Sequence, residues 1–217
     1  MPLNRDSLDR HADDVSAQLL AEWGLQEEPI RDAVRWAYEN HVAEVTADEP
    51  LNSRGTTMYL RLTGRLRQVL RSDGWWIDRP GNLEMTVRPD GHIAIVVANG
   101  DSDTGIIRRQ PSTVSRKGAR TKKVLGERLF DIDDIPLTED RLMLVLLVHA
   151  DERGQEIRCE VSRPLGVAAN GHIEEWAARA ILGAIPMSPV MVKGYASVEI
   201  TEPIDIDVSR RVAGENA

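Results

Sequence analysis

Cysteine is nearly absent: Cys159 is the single one in 217 residues. An internal disulfide is excluded, and so are cysteine-based zinc sites. Such a chain suits a reducing compartment, so a cytoplasmic protein is expected. Long apolar runs are missing too. The longest, Leu142 to Val148, has seven residues, against the roughly twenty that a membrane-spanning helix needs. No membrane partner is therefore expected. Residues 1–6 lead into a polar helical pattern and lack the apolar core of a signal peptide.

Catalytic signatures are scarce. No Gly-x-x-x-x-Gly-Lys-Ser/Thr, Gly-x-Gly-x-x-Gly or Gly-x-Ser-x-Gly occurs. That counts against an ordinary P-loop, a standard dinucleotide fold and a nucleophile elbow. No acid stands two residues before any of the four lysines, so the usual Glu-x-Lys of metal-dependent nucleases is missing. Nothing in the sequence asks for a cofactor.

What is present is an ordinary globular balance, 41% hydrophobic and 29% charged, in a chain long enough to bury one core. Apolar residues at spacings of three and four predict helices over 5–22, 28–47 and 56–72. Pro29 fits the first turn of the second. The period then drops to two. Strands are expected around Trp75–Ile77, Leu83–Val87 and His92–Ala98, the last two joined through Pro89-Asp90-Gly91 as a hairpin. A long polar stretch begins at Asn99 and order resumes near Val124 to Ile132. Arg141 to His149 is apolar on both sides, as suits the middle of a covered sheet. It turns at Asp151–Gly154 into Glu156 to Ser162, where Ile157, Cys159 and Val161 share one face. The stripe Ile173, Trp176, Ala177, Ala180, Ile181 predicts a helix over 172–183. Val198 to Val208 alternates as a last strand, edge-like or bent because of Pro203.

The expected fold is α+β: N-terminal helices, then a mostly antiparallel sheet of about six to seven strands, with one further helix near the C-terminus. It is expected to form a single domain over 1–217, helical in 1–73 and sheet-rich in 74–210, with a basic loop at 104–124.

Several residues invite a chemical reading and have a plainer one beside it. Cys159 lies in phase with Ile157 and Val161, which buries it and makes its thiol inert. His149 and Asp151 form a His-x-Asp at a strand end, and a strand leaving into a polar turn explains both equally well. Asn99, Asp101 and Asp103 begin like a calcium loop. The sixth and twelfth positions then hold Thr104 and Gln110 instead of glycine and glutamate. The acids at 131–140 and 199–207 read as solvated faces unless a metal gathers them.

Charge segregation is the informative feature. Arginine outnumbers lysine 23 to 4, as codon bias in a GC-rich genome would give. Residues 108–128 hold Arg108, Arg109, Arg116, Lys117, Arg120, Lys122, Lys123 and Arg128 against one acid, Glu127, a net of +7. Residues 54–71 hold five arginines, including Arg61 and Arg65 one turn apart, and no acid. The whole chain is −8. A mobile cationic loop of this kind attracts phosphates. No aromatic residue lies in either segment beyond Tyr59, so contacts from them are expected to follow the backbone of a nucleic acid. The expectation is a non-enzymatic accessory protein binding DNA, RNA, a nucleotide or another phosphate-rich ligand through 108–128, helped by Arg61 and Arg65. Two alternatives stand beside it: an interaction or regulatory subunit whose basic loop docks an acidic protein partner, and a metal-dependent hydrolase using scattered carboxylates with His149.

Overall fold

The computed structural model describes residues 5–116 and 141–187. Three helices come first: α1 (Arg5–Trp23), α2 (Glu27–Ala37) and α3 (Ser53–Leu70). In α2, Glu27 and Glu28 occupy the first turn, where carboxylates suit the helix dipole, and Pro29 sits beside them. Its buried stripe is Ile30, Ala33, Val34 and Ala37. The single helix expected over 28–47 is instead α2 followed by a wider π-helical turn over Tyr38–Val42. That turn keeps Tyr38 and Val42 on the buried side. α3 buries Met58, Leu62, Leu66 and Leu70.

Six strands follow: β1 (Trp76–Asp78), β2 (Met85–Val87), β3 (Ile93–Asn99), β4 (Leu142–Asp151), β5 (Glu156–Pro164) and β6 (Trp176–Pro186). They form one sheet in sequence order. Four neighbouring pairs are antiparallel, and β3 with β4 is parallel. The fold is α+β with a mixed sheet. A parallel pair needs a crossover connection, and the link from β3 to β4 is the stretch that carries the basic residues. The β2–β3 hairpin forms as its turn residues dictate. Asp90 accepts the His92 N–H at 2.9 Å, and Gly91 takes φ 78°.

β4 is the centre. Leu144, Leu146 and Val148 pack under the helices, whereas Met143, Val145 and Leu147 pack on the opposite face. Burying each such leucine contributes about 1.5–3 kcal/mol, which explains an apolar run without alternation. On the helix side the core joins Ile30, Val34, Leu62 and Leu66 to Ile95, Leu146 and Val161. α1 covers β6, and the Ser16 hydroxyl accepts the Ile181 N–H at 3.0 Å, which occupies a donor of an edge strand.

One expectation is overturned. Residues 176–186 form β6, not a helix over 172–183. Ala177, Ala178 and Ala180 favour helix intrinsically, and the apolar spacing imitates a helical stripe. The tertiary setting wins. β5 offers a strand edge that pairs from Glu156 to Pro164, Ala178, Ala180 and Leu182 turn toward the helices, and Arg179 turns to a buried carboxylate on the other face. The expected strand at 198–208 and the ordered stretch near 124–132 lie outside the described residues.

Candidate functional site

The chain leaves β3 at Asn99 and enters a loop on the sheet face opposite the helices. This loop was expected to be mobile. Over residues 101–114 its backbone is instead tied down repeatedly. Asp101 accepts the N–H groups of Asp103 and Ser112, each at 3.0 Å. Thr113 exchanges main-chain and hydroxyl hydrogen bonds with Ile173. The Trp176 indole donates to the Pro111 carbonyl at 2.8 Å, and His172 Nδ1–H donates to that of Thr113. Gly105 takes φ 72°, and a Cβ there would come within 2.8 Å of the Arg158 Cβ, so only glycine fits.

The strongest anchor is Glu160. Its side chain is fully buried on β5. Arg179 reaches both of its oxygens, with Nε to Oε1 at 2.9 Å and Nη2 to Oε2 at 2.5 Å. Ser162 donates to Oε1 at 2.7 Å, and the Gly105 N–H to Oε2 at 2.9 Å. Arg179 also donates to the Arg109 carbonyl at 2.6 Å. A buried carboxylate is tolerated only when paired and hydrogen-bonded in this way, and the pairing clamps the loop onto the sheet.

The backbone of Arg109 is thus fixed while its side chain points out. Arg108, Arg109 and Arg116 are exposed and make no ion pair among the described residues. Nine other arginines are engaged in ion pairs there, whereas Arg61, Arg71, Arg153 and Arg163 are, like these three, exposed with no ion pair among the described residues. Lys117, Arg120, Lys122, Lys123 and Arg128 lie outside the described residues.

The arginines of α3 are placed differently. Arg54 pairs with Glu152 and Arg67 with Glu84. Arg65 lies 5.3 Å from the Trp36 ring centroid and donates to Gln68. Arg61 is exposed. α3 packs on the helix side of the sheet and the loop on the other, so the structure does not bring Arg61 and Arg65 together with Arg108, Arg109 and Arg116.

The remaining candidates resolve into structural roles. Cys159 is buried, and burial pushes its thiol up to about 12, so it is inert as its strand phase implies. Asp151 accepts the N–H groups of Gly154 and Arg153, and these hydrogen bonds hold its carboxyl below the ordinary carboxylate value. It serves the turn, not His149. His149 Nδ1–H donates to the Gly100 carbonyl at 3.2 Å. Among the described residues no group of three or more His, Cys, Asp or Glu side chains could hold a metal ion. The acids at 131–140 and 199–207 lie outside them.

A cleft of about 760 Å³ opens where β3 and β4 end. β2 pairs with only Ala94 and Ile95 of β3, so beyond it the β3 edge faces the cleft. Tyr38, Gly55, Met58 and Tyr59 line its helix side, Val145 and Ile173 the other, Val114 and Ser115 the rim, and Asn99 and His149 the strand ends. Burial and the nearby Glu84 carboxylate raise the Tyr59 hydroxyl above its ordinary value, so it stays a donor. Sequence reasoning missed this cleft, because Tyr38, Tyr59 and Asn99 meet only through the fold. The Glu160–Arg179 clamp is equally hidden, because apolar spacing predicts a helix where Arg179 lies on β6.

Comparison with family models, curated proteins and solved structures finds no match for this chain.

Proposed function

We propose that this chain is a non-enzymatic accessory protein that binds nucleic acid or another phosphate-rich ligand through residues 108–128. The observation that carries the reading is the partition of arginines. Nine of the described arginines are engaged by the molecule's own carboxylates, whereas Arg108, Arg109 and Arg116 are exposed without an ion pair in one short segment, Arg109 on a backbone held by Arg179. Fixing the backbone lowers the entropy lost when the side chains meet a ligand. Each phosphate they neutralise releases a counterion, so binding weakens with salt.

The test is anisotropy with single- and double-stranded oligonucleotides and with RNA at two salt concentrations. Binding that falls steeply with salt, and that is lost when Lys117, Arg120, Lys122 and Lys123 become alanine with thermal stability unchanged, supports the proposal. No retention on any polyanion at low salt sinks it. A second reading, an acidic protein partner for the same loop, draws on Ile107 and Val114, which are exposed there at 43% and 59%. Co-purification of one protein after nuclease treatment would favour it.

A further inference from the structure

We infer that the cleft at the ends of β3 and β4 receives a nucleobase, so that the ligand of the basic segment is a nucleotide or a single strand with a base turned in. The inference rests on the phosphate-binding reading and goes further by naming what lies beside the phosphate. It also departs from the expectation that contacts follow only the nucleic-acid backbone.

The first support is continuity. Val114 and Ser115 form the rim of the cleft, and the next residues are Arg116 and Lys117. Neighbouring Cα atoms are about 3.8 Å apart, so a group seated in the cleft has its substituents beside the start of the cationic run.

The second support is the wall. The cleft is mostly apolar and includes the two tyrosines, and its volume of about 760 Å³ is within the usual size of ligand sites. The basic segments lack aromatic residues of their own beyond Tyr59. The fold supplies flat partners for a base from α3 and the turn before it, and stacking of this kind is tolerant of sequence.

The third support is hydrogen-bond polarity. His149 uses Nδ1–H on the Gly100 carbonyl, which leaves Nε2 as an acceptor. Asn99 uses its amide N–H on the Gly55 carbonyl at 2.9 Å, which leaves Oδ1 as an acceptor. Arg54 at the cleft is neutralised by Glu152, so no net charge draws the phosphate itself inside. These two acceptors, with the Tyr59 hydroxyl as a donor in the same mostly apolar cleft, suit a neutral ring that bears both N–H donors and ring-nitrogen acceptors. Adenine and cytosine meet that requirement, whereas uracil offers a single ring N–H.

The experiment is calorimetric titration of the intact chain with adenosine 5′-monophosphate, uridine 5′-monophosphate, ribose 5-phosphate and inorganic tripolyphosphate, with oligo-dA and oligo-dT as the single-strand arm. The inference predicts at least ten-fold tighter binding of adenosine monophosphate than of ribose 5-phosphate, with the uridine nucleotide between them. Tighter binding of oligo-dA than of the mononucleotide assigns the site to a single strand, and the reverse assigns it to a free nucleotide. Ser115→Trp at the exposed rim should erase the ten-fold preference for adenosine monophosphate over ribose 5-phosphate. Equal affinity for adenosine monophosphate and ribose 5-phosphate, with tripolyphosphate still bound, overturns the base site and spares the phosphate reading. No binding of any of these ligands overturns both.

Discussion

Two arginine-rich segments look alike in sequence and differ in use. In α3 three of the four arginines are engaged by the molecule: Arg67 meets Glu84 and the Met85 carbonyl, Arg65 lies over Trp36, and Arg54 reaches Glu152 at the surface, whereas Arg61 is exposed. In the loop after β3 the backbone is what the protein holds, through Glu160 and Arg179, and the side chains of Arg108 and Arg109 are left over. A helix has fixed neighbours three and four residues away and a sheet beneath it, so most of the α3 arginines find partners. A loop anchored by its carbonyls and N–H groups has no such requirement. Counting charges along the chain does not separate the two cases; knowing what each backbone is doing does.

The largest effect that would break this comparison is loss of the clamp. Arg179→Ala leaves Glu160 buried and unpaired and should cost about 3–5 kcal/mol, read as a lower urea midpoint. A loss under about 1 kcal/mol, the range of an exposed ion pair, would mean that the clamp does not hold the loop.

On the α3 side the cost is smaller. Arg67→Ala removes a partly buried pair and should destabilise by about 1 kcal/mol. It also changes the response to acid. Partial burial acts to raise the Glu84 carboxyl, and the hydrogen bonds and charges of Arg67 and Arg79 outweigh that and leave it below its ordinary 4.5. A carboxyl depressed in the folded state stabilises above its unfolded value and loses that contribution as pH falls through its folded value. Stability of the native chain should therefore drop on acidification below pH 4.5, and Glu84→Gln should flatten the drop. An unchanged pH profile in that variant would contradict the pairing.

Gly64 sharpens the comparison in the other direction. It is exposed in the middle of α3 with nothing within 4 Å of the space a Cβ would fill. Gly64→Ala should stabilise by about 0.5–1 kcal/mol, seen as a higher melting temperature. A decrease would mean that the helix is strained there. The smallest effect on stability belongs to the loop. Arg108→Ala with Arg109→Ala should shift the unfolding free energy by no more than about 0.5 kcal/mol while weakening polyanion binding. A large loss of stability would show that these arginines serve the fold.

Much of the architecture is legible in the sequence, for reasons that can be located. The α2 stripe is three-and-four spaced and lands on the core, and the β4 run is apolar on both sides because both its faces are buried. The β4–β5 hairpin is marked by Asp151 and Gly154, and Asp151 caps that turn as its residue type suggests. Where reading fails, the deciding partner is distant in the chain. β6 looks helical because its alanines are, and it becomes a strand because β5 offers an edge and Glu160 a counter-charge. The β3–β4 pair is parallel, and no local pattern in the sequence marks the direction in which β4 runs against β3. The cleft joins Tyr38 and Tyr59 to Asn99 and His149, residues that no local pattern connects.

The central claim, that a phosphate ligand meets the cations of the loop and not those of α3, is tested most directly by the salt dependence of single-strand binding. The logarithm of the binding constant should fall with the logarithm of salt concentration, by about 0.7 for each phosphate contacted. The account predicts that Arg108→Ala, Arg109→Ala and Arg116→Ala together make that slope markedly shallower, whereas Arg61→Ala with Arg65→Ala leaves it where it was. A slope indifferent to the loop substitutions and reduced by the α3 substitutions would contradict it.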